Sequence, residues 1–183
     1  MIRKALVEYC APTLAGIKTG NIFSVRNDHT DVNGEIRELN GILVSRGLRL
    51  VPMRNTGNRT LIYLYRPKRL RRDLGNPGAI EILKEKGYSC GNSDGCLAEL
   101  VRHLKSDDDF PHEIGLFLGY PPSDVKGFME DPCKGVKCIG YWKVYSNECE
   151  ARKTFEKYKK CTAIYHKESQ CGKPLEALIV NTQ

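Results

Sequence analysis

Arginine is concentrated in one stretch of the chain, residues 46–72. The stretch carries nine cations and no acidic residue, a local charge of +9 in a 183-residue chain whose net charge is +7. Eight of the nine are Arg, whose planar guanidinium grips carboxylates and phosphates with two parallel hydrogen bonds. The stretch therefore predicts binding of an anionic small molecule or a nucleic acid. The predicted anion patch comprises Arg54, Arg59, Lys68, Arg69, Arg71 and Arg72, which we expect to be mostly exposed.

Arg66 differs from the other cations because of its position in a predicted strand. Side chains alternate between the two faces of a strand, so Arg66 lies on the same face as Ile62 and Leu64, which we expect to pack inward. A lone buried guanidinium is costly. We therefore expect Arg66 to have a specific partner, either a carboxylate such as Glu113 or Asp124 or an anionic ligand. The alternative for the whole stretch is a solvated edge hairpin whose cations prevent pairing with other strands.

Other polar residues lie in short motifs elsewhere. His112 and Glu113 follow Pro111 at a predicted helix start, where His112 could act as a base or a ligand. Cys10 could be a nucleophile with His112 as its base, although the carbonyl end of its predicted helix disfavours a thiolate. If the motifs meet in space, they form a cationic pocket. The catalytic candidates are Cys10, His112 and Glu113, and the ligand-binding candidates are Lys18, Arg66, His112 and Lys143.

Eight cysteines raise a second possibility, which is thiol-based redox chemistry or metal binding by a subset of them. The closest pairs are Cys90/Cys96 and Cys133/Cys138, and neither has the two-residue gap of zinc knuckles and thioredoxin-like motifs. Because cytoplasmic thiols usually stay reduced, the alternative is a set of ordinary packed or exposed thiols. No metal site is predicted, and no particular cofactor is indicated.

Residues 114–128, IGLFLGYPPSDVKGF, have the spacing of a bacterial helix-turn-helix. Leu116 and Phe117 make the first helix apolar nearly all round. The second helix offers one cation against Asp124 and Glu130 and no Asn, Gln or Arg to read bases. These features favour a buried helical hairpin. DNA binding through this segment is the third functional possibility, after anion binding and thiol chemistry.

The composition is that of an ordinary folded domain, with 40% hydrophobic and 28% charged residues. No apolar run reaches the roughly 18 residues of a membrane span. Glu8 and Pro12 interrupt what would be the apolar core of a signal peptide. We therefore expect a cytoplasmic protein with a single domain over residues 1–183 and no membrane partner.

Hydrophobic periodicity predicts the order helix, strand, helix, hairpin, several helices, strand and helix. We expect Pro12 to end the first helix, Asp31 to cap the second, and Gly47 to follow the second in the left-handed conformation. The class is α/β or α+β, with helix-rich layers around a small sheet of about four strands that includes the basic hairpin. Helices are predicted over 2–10, 32–46, 77–86, 95–105, 111–118, 123–130 and 147–166, and strands over 21–25, 48–54, 60–66 and 139–145.

Several stretches are similar to a known family. They are FPHEIGLFLGYPPSDVKGF (110–128), GYWKVY (140–145) and CAPTLAGIKTGNIFS (10–24) with LIYLYR (61–66). They resemble a family of short proteins from anaerobic Gram-positive bacteria that is described as a domain of unknown function. The resemblance covers nearly the whole chain and implies a single cytoplasmic domain. It implies no reaction, cofactor or catalytic residue.

Overall fold

The computed structural model describes residues 1–27, 31–89, 91–106 and 110–181. The chain forms two compact units, Met1–Arg69 with Lys160–Gln183 and Leu70–Lys159. Its class is α+β, because the helices accompany a three-stranded antiparallel sheet and a separate two-stranded sheet. The predicted fold class is thereby confirmed, and the single domain over residues 1–183 stays a prediction.

The described residues form the following helices and strands. The helices are α1 (Ile2–Leu14), α2 (Val32–Leu43), α3 (Pro67–Leu74), α4 (Pro77–Glu85), α5 (Ser93–Lys105), α6 (Ile114–Phe117), α7 (Pro122–Glu130), α8 (Glu148–Gln170) and α9 (Leu175–Leu178). The strands are β1 (Gly20–Arg26), β2 (Arg49–Asn55), β3 (Arg59–Tyr65), β4 (Cys138–Ile139) and β5 (Lys143–Val144).

The sheet of the first unit has the order β1-β3-β2, so β3 is central and pairs on both sides. Helix α1 packs against β1 and α2 packs against β2. The four predicted inward residues of the hairpin, Leu48, Leu50, Ile62 and Leu64, are all buried in the core beneath these helices. The alternation of apolar side chains therefore predicted the correct face of each strand.

Helix α1 does not end at Pro12, so that expectation is wrong. The helix continues to Leu14 and stops before Gly16, whose φ of 78° is the left-handed conformation that favours glycine. Ile17 N and Lys18 N both donate to Pro12 O, at 3.0 and 3.1 Å. A proline in the last turn forfeits only one helical hydrogen bond, and burial of this turn against the sheet compensates for it.

The cap of α2 is as predicted. The Asp31 carboxylate accepts a hydrogen bond of 2.9 Å from Gly34 N, which satisfies an amide that has no partner within the helix. Gly47 has a φ of 75° after a short 3₁₀ turn at Val44–Arg46. Both features are local, which is why the sequence alone could predict them.

The predicted strand over 139–145 is a hairpin of two short strands, β4 and β5. The chain bends at Gly140, where the ring of Phe155 packs so closely that a Cβ atom would overlap it. The segment with the helix-turn-helix spacing also lies in the second unit, where its first helix is buried as expected. Helix α6 is a single turn whose residues are all buried, and Asp124 and Val125 of α7 are buried as well.

Two helices, α3 and α9, were not predicted, and α8 extends four residues beyond its predicted end. In the described part of the chain, no helix is long and apolar enough to cross a membrane.

Candidate functional site

Arg66 is buried in the first unit, where it holds the end of α1. Its Nε donates to Thr13 O at 2.8 Å, and its Nη2 donates to Leu14 O at 2.7 Å and to Val180 O at 2.8 Å. The last carbonyls of a helix have no partner within the helix and form the negative end of its dipole. A buried guanidinium at this position satisfies them, although burial lowers the pKa of Arg66. Arg66 therefore ties three segments of the first unit together.

The predicted burial of Arg66 is confirmed. The three contacts described above go to main-chain carbonyls, which were not among its predicted partners, and a carboxylate or anionic partner stays a prediction. The alternation of side chains along the predicted strand showed that Arg66 faces inward. It could not show that the end of α1 is what covers it.

Lys18 is also buried in the first unit, with 3% of its surface exposed. Its Nζ donates to Gly20 O at 2.6 Å. Burial lowers the pKa of Lys18 to about 8, and the nearby Cys10 thiol partly opposes this effect. Cys10 is wholly buried, and burial raises its pKa while Lys18 lowers it. A buried, protonated thiol is a poor nucleophile, and the suggested base, His112, belongs to the other unit. The geometry therefore does not favour Cys10 as a catalytic residue.

Within the first unit, the cations at the two ends of β3 do not form one continuous patch. Arg54 and Arg59 lie at the turn end of the β2–β3 hairpin, whereas Lys68 and Arg69 follow the other end of β3. At about 3.3 Å per residue, the length of β3 separates these two pairs by about 20 Å. Within the predicted patch, Arg59, Lys68, Arg71 and Arg72 are exposed and Arg54 and Arg69 are half-buried, so the expectation of mostly exposed cations is confirmed.

Some of these exposed cations already have partners. Arg59 Nη2 donates to Ser24 Oγ at 2.7 Å, and Arg72 pairs with Asp73 at 2.9 Å. Arg71 forms no ion pair with any residue that the structure describes. It is therefore available to an anion that approaches α3.

Arg71 lines a cleft in the second unit, bordered by α3, α4 and the start of α5, which we name the cationic cleft. Its volume is about 620 Å³, a size typical of small-molecule sites. Lys84 is its second cation, and none of the described residues that line it is acidic. Like Arg71, Lys84 has no ion pair within the described part of the chain. The lining residues are Arg71, Leu74, Gly75, Ile80, Leu83, Lys84, Tyr88, Ser89, Gly91, Asn92, Ser93 and Cys96.

Ser93 is the first residue of α5 and contributes an unpartnered hydroxyl to the cationic cleft. The residue is 9% exposed, and its Oγ forms no hydrogen bond with any described residue. No fully enclosed side-chain oxygen in the described residues lacks a partner, so the Ser93 hydroxyl retains accessible surface, and Ser93 is a residue that lines the cleft. Asn92 caps the helix through a hydrogen bond of 2.8 Å from Gly95 N. The first amides of this 13-residue helix thus begin at the cleft wall.

A second cavity of the second unit brings two of the sequence motifs together. We name it the aromatic pocket; its volume is about 190 Å³. His112 and Lys143, two of the four predicted ligand-binding residues, both line it, whereas Lys18 and Arg66 lie in the first unit. The lining residues are His112, Ile114, Gly115, Tyr120, Asp124, Val125, Phe128, Trp142 and Lys143.

Asp124 fixes the wall of the aromatic pocket. Its Oδ2 accepts from Trp142 Nε1 at 2.8 Å, and its Oδ1 accepts from Tyr145 N at 2.9 Å and Ser146 N at 2.8 Å. Tyr120 stacks on the indole with ring centroids 4.9 Å apart. Burial raises the pKa of Tyr120 to about 12. The carboxylate thus binds the β4–β5 hairpin to α7 and orients the indole.

Glu113 pairs with a histidine that sequence reasoning missed, His103. Glu113 Oε1 accepts from Tyr88 Oη at 3.0 Å and lies 3.2 Å from His103 Nδ1. Burial, followed by the charge of Glu113, raises the pKa of Tyr88. His103 follows the core residue Leu100 by three positions on α5, and this spacing was the available signal. His103, His112 and Glu113 all line one open cleft. Glu113 contacts His103 there, whereas the side chains of His112 and Glu113 form no hydrogen bond with each other.

The described cysteines are mostly free thiols. Cys10 is buried, Cys138 and Cys161 are half-buried, and Cys133, Cys149 and Cys171 are exposed. Cys96 is disulfide-bonded, which corrects the expectation of thiols alone; Cys90 lies outside the described residues. Over the residues that the structure describes, no group of three His, Cys, Asp or Glu side chains could hold a metal ion. The thiol and metal alternatives therefore stay predictions.

The fold and these cavities define an α+β protein with open sites of small-molecule size in its second unit. A family model described as a protein of unknown function, DUF3793, matches residues 6–179. Because the match covers most of the chain, the protein belongs to this family. The resemblance drawn from the sequence motifs is thereby confirmed as membership of a family of unknown function. Searches of curated proteins and of solved structures find no match.

Proposed function

We propose that the protein binds a small phosphate-bearing ligand, such as a nucleotide or a phosphorylated metabolite, in the cationic cleft. One observation carries this proposal. Arg71 and Lys84 line the cleft with no acidic residue among its described lining, beside the unpartnered hydroxyl of Ser93 at the start of α5. Unpaired cations beside free hydrogen-bond donors are the features that bind a phosphate group.

Each lining group has a distinct part in this binding. The guanidinium of Arg71 offers two parallel donors to a phosphate, and Lys84 adds a compact positive charge. The first amides of α5 and the Ser93 hydroxyl donate to the remaining oxygens. Leu74, Ile80 and other apolar residues of the cleft accept the uncharged part of the ligand. A volume of about 620 Å³ suits a ligand of nucleotide size.

This proposal keeps the anionic ligand that the sequence predicts but changes the contacts. The sequence favoured the Arg-rich hairpin. Arg59 at the hairpin turn already bonds to Ser24. We therefore propose Arg71 of α3, rather than Arg54 or Arg59, as the principal contact. A cytoplasmic location remains part of the proposal, since phosphorylated metabolites are concentrated there.

Isothermal titration of ADP and of pyrophosphate into the full chain tests the proposal. We expect one saturable site for each. The double variant Arg71→Gln, Lys84→Gln should weaken binding by about 100-fold, because it removes two charge-assisted contacts worth about 1.5 kcal/mol each. The matched control Arg59→Gln, Lys68→Gln removes the same charge and should change affinity less than about twofold.

Two results would overturn the proposal. One is the absence of heat and of thermal stabilisation with both probes at low salt. The other is preferential binding of a single-stranded oligonucleotide, with a steep salt dependence that Arg59→Gln, Lys68→Gln abolishes and the cleft variant does not. That second result would assign the basic stretch to nucleic acid.

A further inference from the structure

We propose that the aromatic pocket is a second, separate site, which binds a small planar carboxylate with one aromatic ring. The site lies within the second unit but shares no lining residue with the cationic cleft. It therefore extends the function beyond the phosphate-bearing ligand and stands or falls independently of it.

The volume of the pocket limits the ligand to one ring. An apolar cavity of about 150 Å³ is known to hold benzene, and this pocket measures about 190 Å³. The additional space suits one substituent and excludes a fused ring system with a phosphate. The pocket is thus too small for the ligand that we propose for the cationic cleft.

The walls of the pocket are suited to a flat ring. Tyr120, Phe128 and Trp142 line it, and aromatic rings favour offset stacking or edge-to-face contacts with another ring. Gly115 forms part of the wall because a Cβ atom there would lie 2.9 Å from Val125 Cγ2 and 3.1 Å from Tyr120 Cδ2. The absence of a side chain at Gly115 lets these groups close around the cavity.

The polar groups of the pocket favour a negative substituent. Lys143 Nζ donates to Pro132 O at 2.9 Å, which leaves two of its three hydrogens for a ligand. It lies 5.6 Å from the centre of the Phe128 ring, so a carboxylate bound to it would sit at the edge of the ring site. The imidazole of His112, 5.0 Å from the Phe128 ring, is exposed beside it as a second donor.

Among the described residues that line the pocket, Asp124 is the one acidic residue, and both of its oxygens already accept hydrogen bonds. Three N–H groups donate to its two oxygens, from the Trp142 indole and the amides of Tyr145 and Ser146. A carboxylate that accepts three hydrogen bonds is held in position. Asp124 therefore has a structural role in the pocket wall and is not the group that would bind a cationic ligand. The same bonds hold the indole still, and a preformed wall reduces the cost of binding.

Trp142 is the single tryptophan of the chain, so its fluorescence reports on this pocket alone. The experiment titrates benzoate and the neutral benzamide into the full-length protein and follows both emission and ligand-observed NMR. We expect saturable binding of benzoate that is about fivefold tighter than that of benzamide, the ratio expected of one partly exposed ion pair. Pyrophosphate at saturation should leave both affinities unchanged.

Substitutions identify the contact. Lys143→Gln should lower the affinity for benzoate to that for benzamide and leave benzamide unaffected. The matched control Lys137→Gln alters an exposed lysine of the neighbouring segment that lies outside the pocket and should leave both affinities unchanged. Val125→Phe should fill the cavity and abolish binding of both probes. Absence of saturable binding by both methods, or equal affinities of benzoate for the wild type and Lys143→Gln, would overturn the proposal.

Discussion

Two cations of the first unit are buried, whereas two cations of the second unit lie open in a cleft. Lys18 and Arg66 in the first unit donate to main-chain carbonyls and are almost inaccessible. Arg71 and Lys84 in the second unit line a cleft and have no ion pair with the described residues. The same residue types thus perform different tasks. A cation enclosed by carbonyls stabilises the fold, whereas an accessible cation without a counter-charge is available for a ligand.

The largest effect that this comparison predicts is on stability, from Arg66→Ala. The substitution leaves the carbonyls of Thr13, Leu14 and Val180 without this donor in a buried region, so we expect the free energy of unfolding to fall by about 3–5 kcal/mol. Urea unfolding followed by circular dichroism measures it. Arg71→Ala is the matched control, and its exposed side chain should cost less than about 0.5 kcal/mol. Equal losses in the two variants would contradict the distinction between the units.

The next effect concerns the carboxylate that orders the second unit. Asp124→Asn retains the shape of the side chain but removes the charge that attracts three N–H donors. We expect a loss of about 2 kcal/mol and a red shift of Trp142 emission as the indole becomes less fixed. Asp131→Asn is the control, because Asp131 is exposed and accepts from the amides of Cys133 and Lys134. A similar loss in both variants would mean that Asp124 only caps a turn.

The most gradual effect is a pH dependence that comes from Lys18. Its pKa is lowered by burial from the ordinary 10.5 to about 8, so between these values the unfolded chain holds a proton that the folded chain lacks. Unfolding then takes up a proton, and raising the pH stabilises the fold. We expect the wild type to gain about 1 kcal/mol per pH unit relative to Lys18→Met across this window.

The buried Cys10 has the opposite effect on stability, which it lowers as the pH rises. Its pKa is raised, so the folded chain keeps a proton that the unfolded chain loses. Cys10 is present in both proteins, so the difference between the wild type and Lys18→Met isolates the lysine. The comparison is made by urea unfolding at several pH values from 7 to 10. If the free energies of unfolding of the two proteins change with pH in parallel, Lys18 keeps its charge when buried.

The sequence predicted those features that depend on neighbours in the chain. The Asp31 cap, the left-handed Gly47 and the inward face of Ile62 and Leu64 follow from local chemistry and strand periodicity. The partners of Arg66 and the pairing of His103 with Glu113 depend on which segments meet in the fold, and no local pattern encodes that.

The candidate sites show the same division. Arg71 was identified from charge alone, but its association with Lys84 and Ser93 required the packing of α3, α4 and α5. His112 and Lys143 were identified from their motifs and share a pocket because Asp124 holds the β4–β5 hairpin against α7. A run of like charges therefore predicts that an anion binds, whereas the fold decides which of the charges contact it.

The most direct test of the central claim is a titration of the ¹⁵N-labelled protein with pyrophosphate, followed by amide NMR. We predict the largest shift changes at Ser93 and the neighbouring amides that begin α5, with saturation at one equivalent. The amides of Lys18 and of the hairpin turn around Arg59 should not move. Shift changes that centre on the hairpin turn, with the α5 amides unaffected, would contradict the claim that the open cations of the second unit are the ones that bind an anion.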